Sequence, residues 1–280
     1  MLDHANEVQQ ICADIRKDIF LTAYAGGIGH LASAFSLVEI LYALYLNGVM
    51  HYHADNPQDE SRDMFILSKG HGSLALYNTL YRAGFFPRET LWGFCRPNGI
   101  LGGEPHNLEV PGVEAATGSL GHGLSIGVGM AMAIQQSGLK NHVYVVVGDG
   151  ECQEGSIWEA IMTASAYQLE CLTLIIDNNK LQKNSRVEEL MKIDSWNNRL
   201  CSFGWAVKEC DGHDVGDITR KLQEPWEVGK PRCLIANTVK GKGLSLMENN
   251  PKWHWKMPNR RELKVFMEEL HISEEELVKC

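Results

Sequence analysis

The sequence has too little positive charge to bind along a nucleic-acid backbone. Its 280 residues include 26 Lys and Arg against 35 Asp and Glu, which gives a net charge of −9. A protein that neutralises backbone phosphates needs a basic face. We therefore expect no nucleic-acid partner, although a few backbone amides are enough to bind a small anion.

The sequence also lacks an uninterrupted apolar segment of membrane-spanning length. Ile19–Val38 and Ala115–Leu139 contain no Asp, Glu, Lys or Arg, but Gly, Ser, Thr and His interrupt both stretches. The segment from Met1 to Lys17 carries acidic residues and no apolar leader. We therefore expect no membrane contact and a cytoplasmic protein.

None of the eight cysteines belongs to a Cys-x-x-Cys pair. They are spread along the whole chain, so their spacing predicts neither a zinc site nor a disulfide framework. We expect reduced and mostly buried thiols, which are typical of cytoplasmic proteins.

Strand-like and helix-like patterns alternate along the chain. Short apolar runs predict strands over 64–67, 142–147, 172–177 and 233–239. Helical spacing and end signals predict helices over 8–19, 36–46, 73–82, 121–136, 156–167, 193–203, 214–222 and 259–270. The alternation predicts an α/β fold with a mostly parallel sheet and helices on both faces. We expect one domain over 1–280, with a C-terminal extension from about residue 244.

The most informative stretch, 143–180, combines a strand, a Gly-Asp-Gly turn, a helix, a second strand and an Asn pair. Parallel strands end at the same edge of a sheet, so Asp149 and Asn179 should lie at neighbouring strand tips. Mg²⁺ prefers oxygen ligands, and the glycines and the following helix expose amides to an anion. Each motif alone is typical of a tight turn. Together, across one crossover, they predict a magnesium–diphosphate site.

These motifs resemble the signature of thiamine-diphosphate enzymes, in which Gly-Asp-Gly precedes an Asn pair by about thirty residues. Within that superfamily the chain resembles transketolase. Matching motifs stand at Gly29–His30, Ser68–Gly72, Pro111–Gly121, Gly148–Gly155 and Thr238–Gly243. Their order and spacing match nearly the whole chain. The resemblance implies a thiamine-diphosphate-binding fold, with thiamine diphosphate and Mg²⁺ as cofactors.

The resemblance also implies which residues hold the cofactor. Mg²⁺ would be bound by Asp149, Asn179 and the backbone carbonyl of Leu181. The implied cofactor contacts are His71, Gly118, Ser119, Leu120, Gly150, Glu154, Glu159, Asn179 and His254. In that set the Gly150 amide would donate to the diphosphate, and residues 118–120 would form a loop against the aminopyrimidine ring. Glu154 and Glu159 would lie near the subunit interface.

Histidines are the implied catalytic residues: His30, His254 and His106. A histidine with a pKa near neutrality both donates to sugar hydroxyls and carries protons. His106 departs from the family pattern, because the family has His-Pro where this chain has Pro105-His106. Another departure is Trp255, which follows His254 where the family has Gly, and we expect its indole to narrow the acceptor channel.

The match covers only the first domain of a full-length transketolase. The resemblance therefore implies the N-terminal subunit of a split transketolase, which transfers a two-carbon ketol unit from a ketose phosphate to an aldose. A separate C-terminal subunit would supply the glutamate that activates the cofactor. Self-association into a heterotetramer, with two copies of each chain, is also implied.

Several alternatives use the same residues. A deoxyxylulose-phosphate synthase, an oxo-acid dehydrogenase component or a non-catalytic regulatory subunit would share the cofactor motif. The segment 123–127 fits the hydrolase motif Gly-x-Ser-x-Gly, and the nearby glycines resemble a dinucleotide fingerprint, but no strand precedes them. The segment 240–243 lacks a full phosphate-loop motif, so we expect a solvated basic turn there.

Overall fold

Five parallel strands form the central sheet of the computed structural model, which describes residues 2–106, 108–183, 185–193 and 195–278. The strands are β1 (Met64–Leu67), β2 (Val143–Gly148), β3 (Leu172–Asn178), β4 (Leu181–Gln182), β5 (Ser185–Arg186), β6 (Ala206–Asp211) and β7 (Arg232–Asn237). The order across the sheet is β1-β2-β3-β7-β6, so β3 is the central strand. The short strands β4 and β5 form a separate antiparallel hairpin.

Helices connect the strands. They are α1 (Leu2–Gly26), α2 (Leu31–Phe35), α3 (Val38–Leu41), α4 (Ser73–Arg82), α5 (Gly123–Ser137), α6 (Gly155–Ala166), α7 (Val187–Leu190), α8 (Trp196–Ser202), α9 (Val215–Gln223), α10 (Arg260–Glu269) and α11 (Glu274–Val278). Among the described residues, no helix is both long enough and apolar enough to cross a membrane.

Alternating side chains of the strands build one hydrophobic core on each face of the sheet. In β2, Val145 packs among α5, α6 and α8, whereas Val146 packs among α1 to α4, α9 and α10. This period of two, with apolar residues on both faces, is what a doubly covered parallel sheet requires. The predicted α/β class, with helices on both faces, is confirmed.

Helix α5 packs unusually close to the sheet because of its glycines. A Cβ atom at Gly127 would lie 2.5 Å from Cγ2 of Val145, and one at Gly123 would lie 2.4 Å from Cβ of Ser68. Neither position has room for a side chain. The small residues that make this segment look like a membrane helix therefore serve close packing within the domain.

The helix expected over 36–46 is confirmed from Val38 onwards, because α3 continues directly into a π-helical turn over Tyr42–Leu46. It begins two residues later than expected, and the Ser36 hydroxyl in the preceding turn donates to the Asp177 carboxylate at 2.8 Å. Strand β6 was not predicted. It is one of the two edge strands, and its central residues Lys208 and Glu209 are charged and at least partly exposed, so the apolar pattern fails there.

The C-terminal residues pack into the same core as the first helix. Phe266 of α10 is fully buried, and its ring centroid lies 5.1 Å from that of Phe20 in α1. Leu244 and Met247 are also fully buried in this core. The division into one domain with an extension from about residue 244 stays a prediction.

Candidate active site

A cavity of about 210 Å³ lies at the carboxyl edge of the sheet. Because the strands are parallel, the residues that follow β1, β2, β3 and β7 all lie at this edge. The predicted residues that line the cavity are His30, His71, Gly118, Leu120, Asp149, Gly150, Asn179, Leu181 and His254. The fold thus brings residues from both ends of the chain into one site.

Asp149 and Asn179 follow neighbouring strands, as expected. Asp149 is buried, and its carboxylate oxygens accept hydrogen bonds from two backbone amides at 2.8 and 2.5 Å. Burial, and then the charge of Asp177, raise the pKa of Asp149 to about 6. A nearby cation would stabilise the ionised carboxylate. Carboxylate, amide and carbonyl oxygens are the ligands that Mg²⁺ prefers, so this donor set, with Leu181, fits the ion.

Two predicted backbone contacts have partners within the chain. The Gly150 amide donates to Oδ1 of Asp149 at 2.8 Å, and the Leu181 carbonyl accepts from the Lys240 ammonium at 3.2 Å. A Cβ atom at Gly150 would lie 2.9 Å from Cβ of Gln182, so only backbone fits there. The roles of Gly150 and Leu181 towards diphosphate and metal stay predictions.

Two buried lysines line the cavity, and the sequence analysis missed both. Lys69 is 1% exposed and Lys240 is 3% exposed. The expected solvated turn over 240–243 is therefore wrong at Lys240, because this residue follows β7 and points into the strand-end cavity. Burial, and then the charge of Lys69, lower the pKa of Lys240 to about 8. A buried ammonium without a carboxylate partner, as at Lys240 among the described residues, favours an anionic ligand.

Two cavity-lining side chains carry polar atoms without a partner among the described residues. These are the hydroxyl of Ser33 and Oε1 of Gln182. Buried polar groups are almost always hydrogen-bonded, so unpaired ones in a cavity favour a ligand that completes them. A diphosphate accepts from the Ser33 hydroxyl and from the Lys240 ammonium, so these two groups fit the diphosphate of the cofactor. Oε1 of Gln182 is an acceptor and needs a donor, which a diphosphate does not supply.

Asp177, at the tip of β3, organises the loops around the cavity. Its carboxylate accepts from the Lys69 ammonium at 2.5 Å, from Asn179 Nδ2 at 3.0 Å, and from the hydroxyls of Ser36 and Thr238. Burial alone would raise its pKa, but the Lys69 charge and these hydrogen bonds hold the pKa below its usual value. Asp177 thus stays ionised, and its hydrogen bonds hold together the segments that carry these four donors.

Glu151 is a second organising carboxylate. It is buried, and it accepts from the Ser68 hydroxyl at 2.5 Å, from Gly121 N at 2.9 Å and from Gly148 N at 3.0 Å. It therefore joins three of the motif segments that surround the cavity. Its position directly after the Gly-Asp-Gly turn was the signal available in the sequence.

A chain of hydrogen bonds through His213 and Glu39 holds the segment that carries Lys240 in place. Nε2 of His213 accepts from Val239 N at 2.7 Å, so its Nδ1 bears the proton and donates to Glu39 at 2.9 Å. Glu39 is also paired with Arg16 at 2.7 Å. His213, which lies outside the cavity, therefore has a structural role.

Three histidines form a triangle at the cavity. The ring centroid of His30 lies 5.3 Å from that of His71 and 5.1 Å from that of His254. Burial, and then the Lys240 charge, lower the pKa of His30 to about 4 and that of His254 to about 3. Burial also lowers the pKa of His71. All three rings are therefore neutral near pH 7, so each has one donor and one acceptor nitrogen.

Four predicted site residues do not line the cavity: Ser119, Glu154, Glu159 and His106. His106 is exposed, and its Nδ1 accepts from Leu108 N at 3.4 Å. From the same loop, Glu104 lines the cavity instead. The two glutamates are exposed on and before α6, where a second chain has access to them. The proposed roles of these four residues stay predictions.

Comparison with known proteins identifies related sequences. The sequence profile described as "Transketolase, thiamine diphosphate binding domain" matches residues 13–276. The chain is 41% identical over 265 residues to an apulose-4-phosphate transketolase subunit of Phocaeicola vulgatus, covering 94% of each protein. It is 38% identical over 229 residues to the 6-deoxy-6-sulfo-D-fructose transketolase subunit SqwG of a Clostridium species, covering 81% of this chain and 83% of that protein.

Solved structures give the same result. The transketolase of Pichia stipitis in complex with sedoheptulose-7-phosphate superposes with a TM-score of 0.87 at 27% identity, over 97% of this chain and 43% of that one. The chain thus spans less than half the length of such transketolases. It belongs to the transketolase family, through the thiamine diphosphate binding domain. This confirms the predicted family, the thiamine diphosphate cofactor and the transketolase-type enzyme subunit.

The neutral histidines predict how stability depends on pH. An unfolded histidine takes up a proton near pH 6.5, whereas folded His30 resists protonation down to about pH 4. The free energy of unfolding should therefore fall as pH decreases from about 6.5 to about 4, because the unfolded state binds more protons in that window. NMR titration of the His30 ring in the cofactor-free chain should show a midpoint near 4. An ordinary midpoint of 6.5 would contradict the buried, cation-flanked geometry.

Replacement of Glu151 should destabilise the fold. Glu151→Ala leaves the Ser68 hydroxyl and the amides of Gly121 and Gly148 unpaired, which should cost about 3 kcal/mol or more. Glu159→Ala, at an exposed glutamate, is the matched control and should change the free energy of unfolding by less than about 0.5 kcal/mol. Urea denaturation measures both variants. Equal effects would show that Glu151 does not hold the motif segments together.

Proposed function

We propose that this chain is the N-terminal, diphosphate-binding subunit of a two-chain transketolase. It would transfer a two-carbon ketol unit from a ketose phosphate to an aldose acceptor in the cytoplasm. The observation that carries the proposal is the cavity in which oxygen ligands, two buried lysines and three neutral histidines converge. A relative named as a transketolase subunit, matched over 94% of both lengths, supports a separate partner chain.

The chain would hold the anionic end of the cofactor. Asp149, Asn179 and the Leu181 carbonyl would bind Mg²⁺, which usually takes further oxygen ligands from phosphates. Lys240, whose charge has no carboxylate partner among the described residues, would bind the diphosphate, and the unpaired Ser33 hydroxyl would donate to it. Bound thiamine diphosphate supplies the electron sink that lets a carbon–carbon bond next to a ketose carbonyl break.

The histidines would orient the sugar and move its protons. The Lys240 ammonium approaches Nδ1 of His254 at 3.4 Å. An ammonium is only a donor, so the neutral His254 ring bears its proton on Nε2. Low pKa values keep both rings neutral before the substrate binds. His254 would donate from Nε2 to a substrate hydroxyl, and His30 would accept a hydroxyl proton on its free ring nitrogen and become transiently charged.

The partner chain would complete the site from the other side of the cavity. By resemblance to the family, the activating glutamate and the other half of the aminopyrimidine environment would come from the domain that this chain does not match. Helices α5 and α6 present an accessible face suited to association: Ser125 and Gly129 are exposed, and Met162 is 50% exposed. Small and apolar residues on a surface favour a protein partner.

Loss of the aspartate ligand should remove metal-dependent cofactor binding. Asp149→Ala should weaken binding of thiamine diphosphate with Mg²⁺ by more than about 100-fold. Loss of a group that only hydrogen-bonds to a metal ligand already lowers metal affinity by about 10–100-fold, and Asp149 would be a ligand itself. Asp14→Ala, at an exposed aspartate of α1, is the control. Calorimetric titration measures both, and circular dichroism checks folding. Unchanged affinity in a folded Asp149→Ala protein would refute the metal assignment.

The chain alone should not catalyse ketol transfer. With half of the cofactor environment missing, we expect weak thiamine-diphosphate binding and no turnover of a xylulose phosphate donor. Addition of the C-terminal subunit should restore both, with light scattering showing two copies of each chain. Full turnover by this chain alone, over a range of concentrations, would refute the two-chain proposal.

A further inference from the structure

We propose that Trp255 selects short acceptor aldehydes, of about two or three carbons, over five-carbon aldoses. This inference rests on the proposed function and deepens it by naming the class of acceptor. It concerns the rim of the cavity rather than the cofactor, and its basis is the position of one exposed indole.

The indole of Trp255 packs against the ring of His30. Their centroids are 4.2 Å apart and their planes are inclined by 74°, an edge-to-face contact. Trp255 is nevertheless 58% exposed. An indole that touches a cavity-lining histidine and also faces solvent stands at the rim of the cavity.

Both flanks of Trp255 are anchored. Trp253 is 3% exposed and packs on Phe266, with 5.2 Å between the ring centroids. The Lys256 ammonium lies 4.3 Å from the Trp253 ring centroid and is paired with Glu262 in α10. The backbone on each side is thus tied to the core, so the indole forms a fixed wall rather than a mobile cover.

This wall leaves little room beside His30. His71 and His254 occupy two sides of its ring at 5.3 and 5.1 Å, and Trp255 occupies a third side at 4.2 Å. An acceptor aldehyde that reaches the cavity-facing side of His30 would therefore lie beside the indole. Each further carbon of a longer acceptor must extend past the indole. Pocket shape of this kind discriminates substrates by about 10–200-fold.

The test uses the assembled two-chain enzyme with one ketose phosphate donor and two acceptors, glycolaldehyde and ribose phosphate. Trp255→Gly should raise the ratio of kcat/KM for ribose phosphate over glycolaldehyde by about 10-fold or more. Trp255→Phe, which keeps an aromatic wall, should change that ratio by less than about threefold. Thermal unfolding and light scattering show that each variant folds and assembles.

The outcomes separate this inference from the function on which it rests. An unchanged ratio in a folded, active Trp255→Gly enzyme would overturn the acceptor role. So would an equal loss for both acceptors together with weaker assembly, because Trp255 would then be a contact to the partner chain. Absence of ketol transfer with every acceptor in the unsubstituted enzyme would refute the proposed function itself, and the acceptor role with it.

Discussion

A buried ion pair between Lys69 and Asp177 stands at the tip of the central strand, with 2.5 Å between ammonium and carboxylate. Charges without water are stable only when they are paired and fully hydrogen-bonded, and loss of one partner typically costs about 3–5 kcal/mol. Ser36 and Thr238 satisfy this condition from two other segments. The break between α2 and α3 and the path of the chain after β7 therefore both follow from the need to enclose one carboxylate.

The same enclosure shapes the chemistry of the cavity. Lys69 is neutralised by Asp177, whereas Lys240 contacts a carbonyl and a histidine nitrogen, so its charge is available to an anionic ligand. Burial, and then the Lys240 charge, lower the pKa of His30 and of His254 and keep both rings neutral. Lys240 thus contributes both to anion binding and to the neutral state of the histidines.

The sequence predicts the fold class and the central pair Asp149 and Asn179 because strand pattern and strand order dictate which ends meet. The same topological argument, applied to the residues after β1 and β7, would have found Lys69 and Lys240. Asp177 and Glu151 were harder to assign, since a buried acid has no pattern of its own until its donors are known. The exposed position of His106 follows from local loop geometry, which residue order alone does not determine.

The central claim is that this chain binds the diphosphate end of the cofactor and leaves the other end to its partner. Calorimetric titration of the isolated chain with inorganic pyrophosphate, and separately with thiamine, each in the presence of Mg²⁺, tests this claim directly. We predict that pyrophosphate binds and that thiamine does not. Binding of thiamine without binding of pyrophosphate would contradict the account.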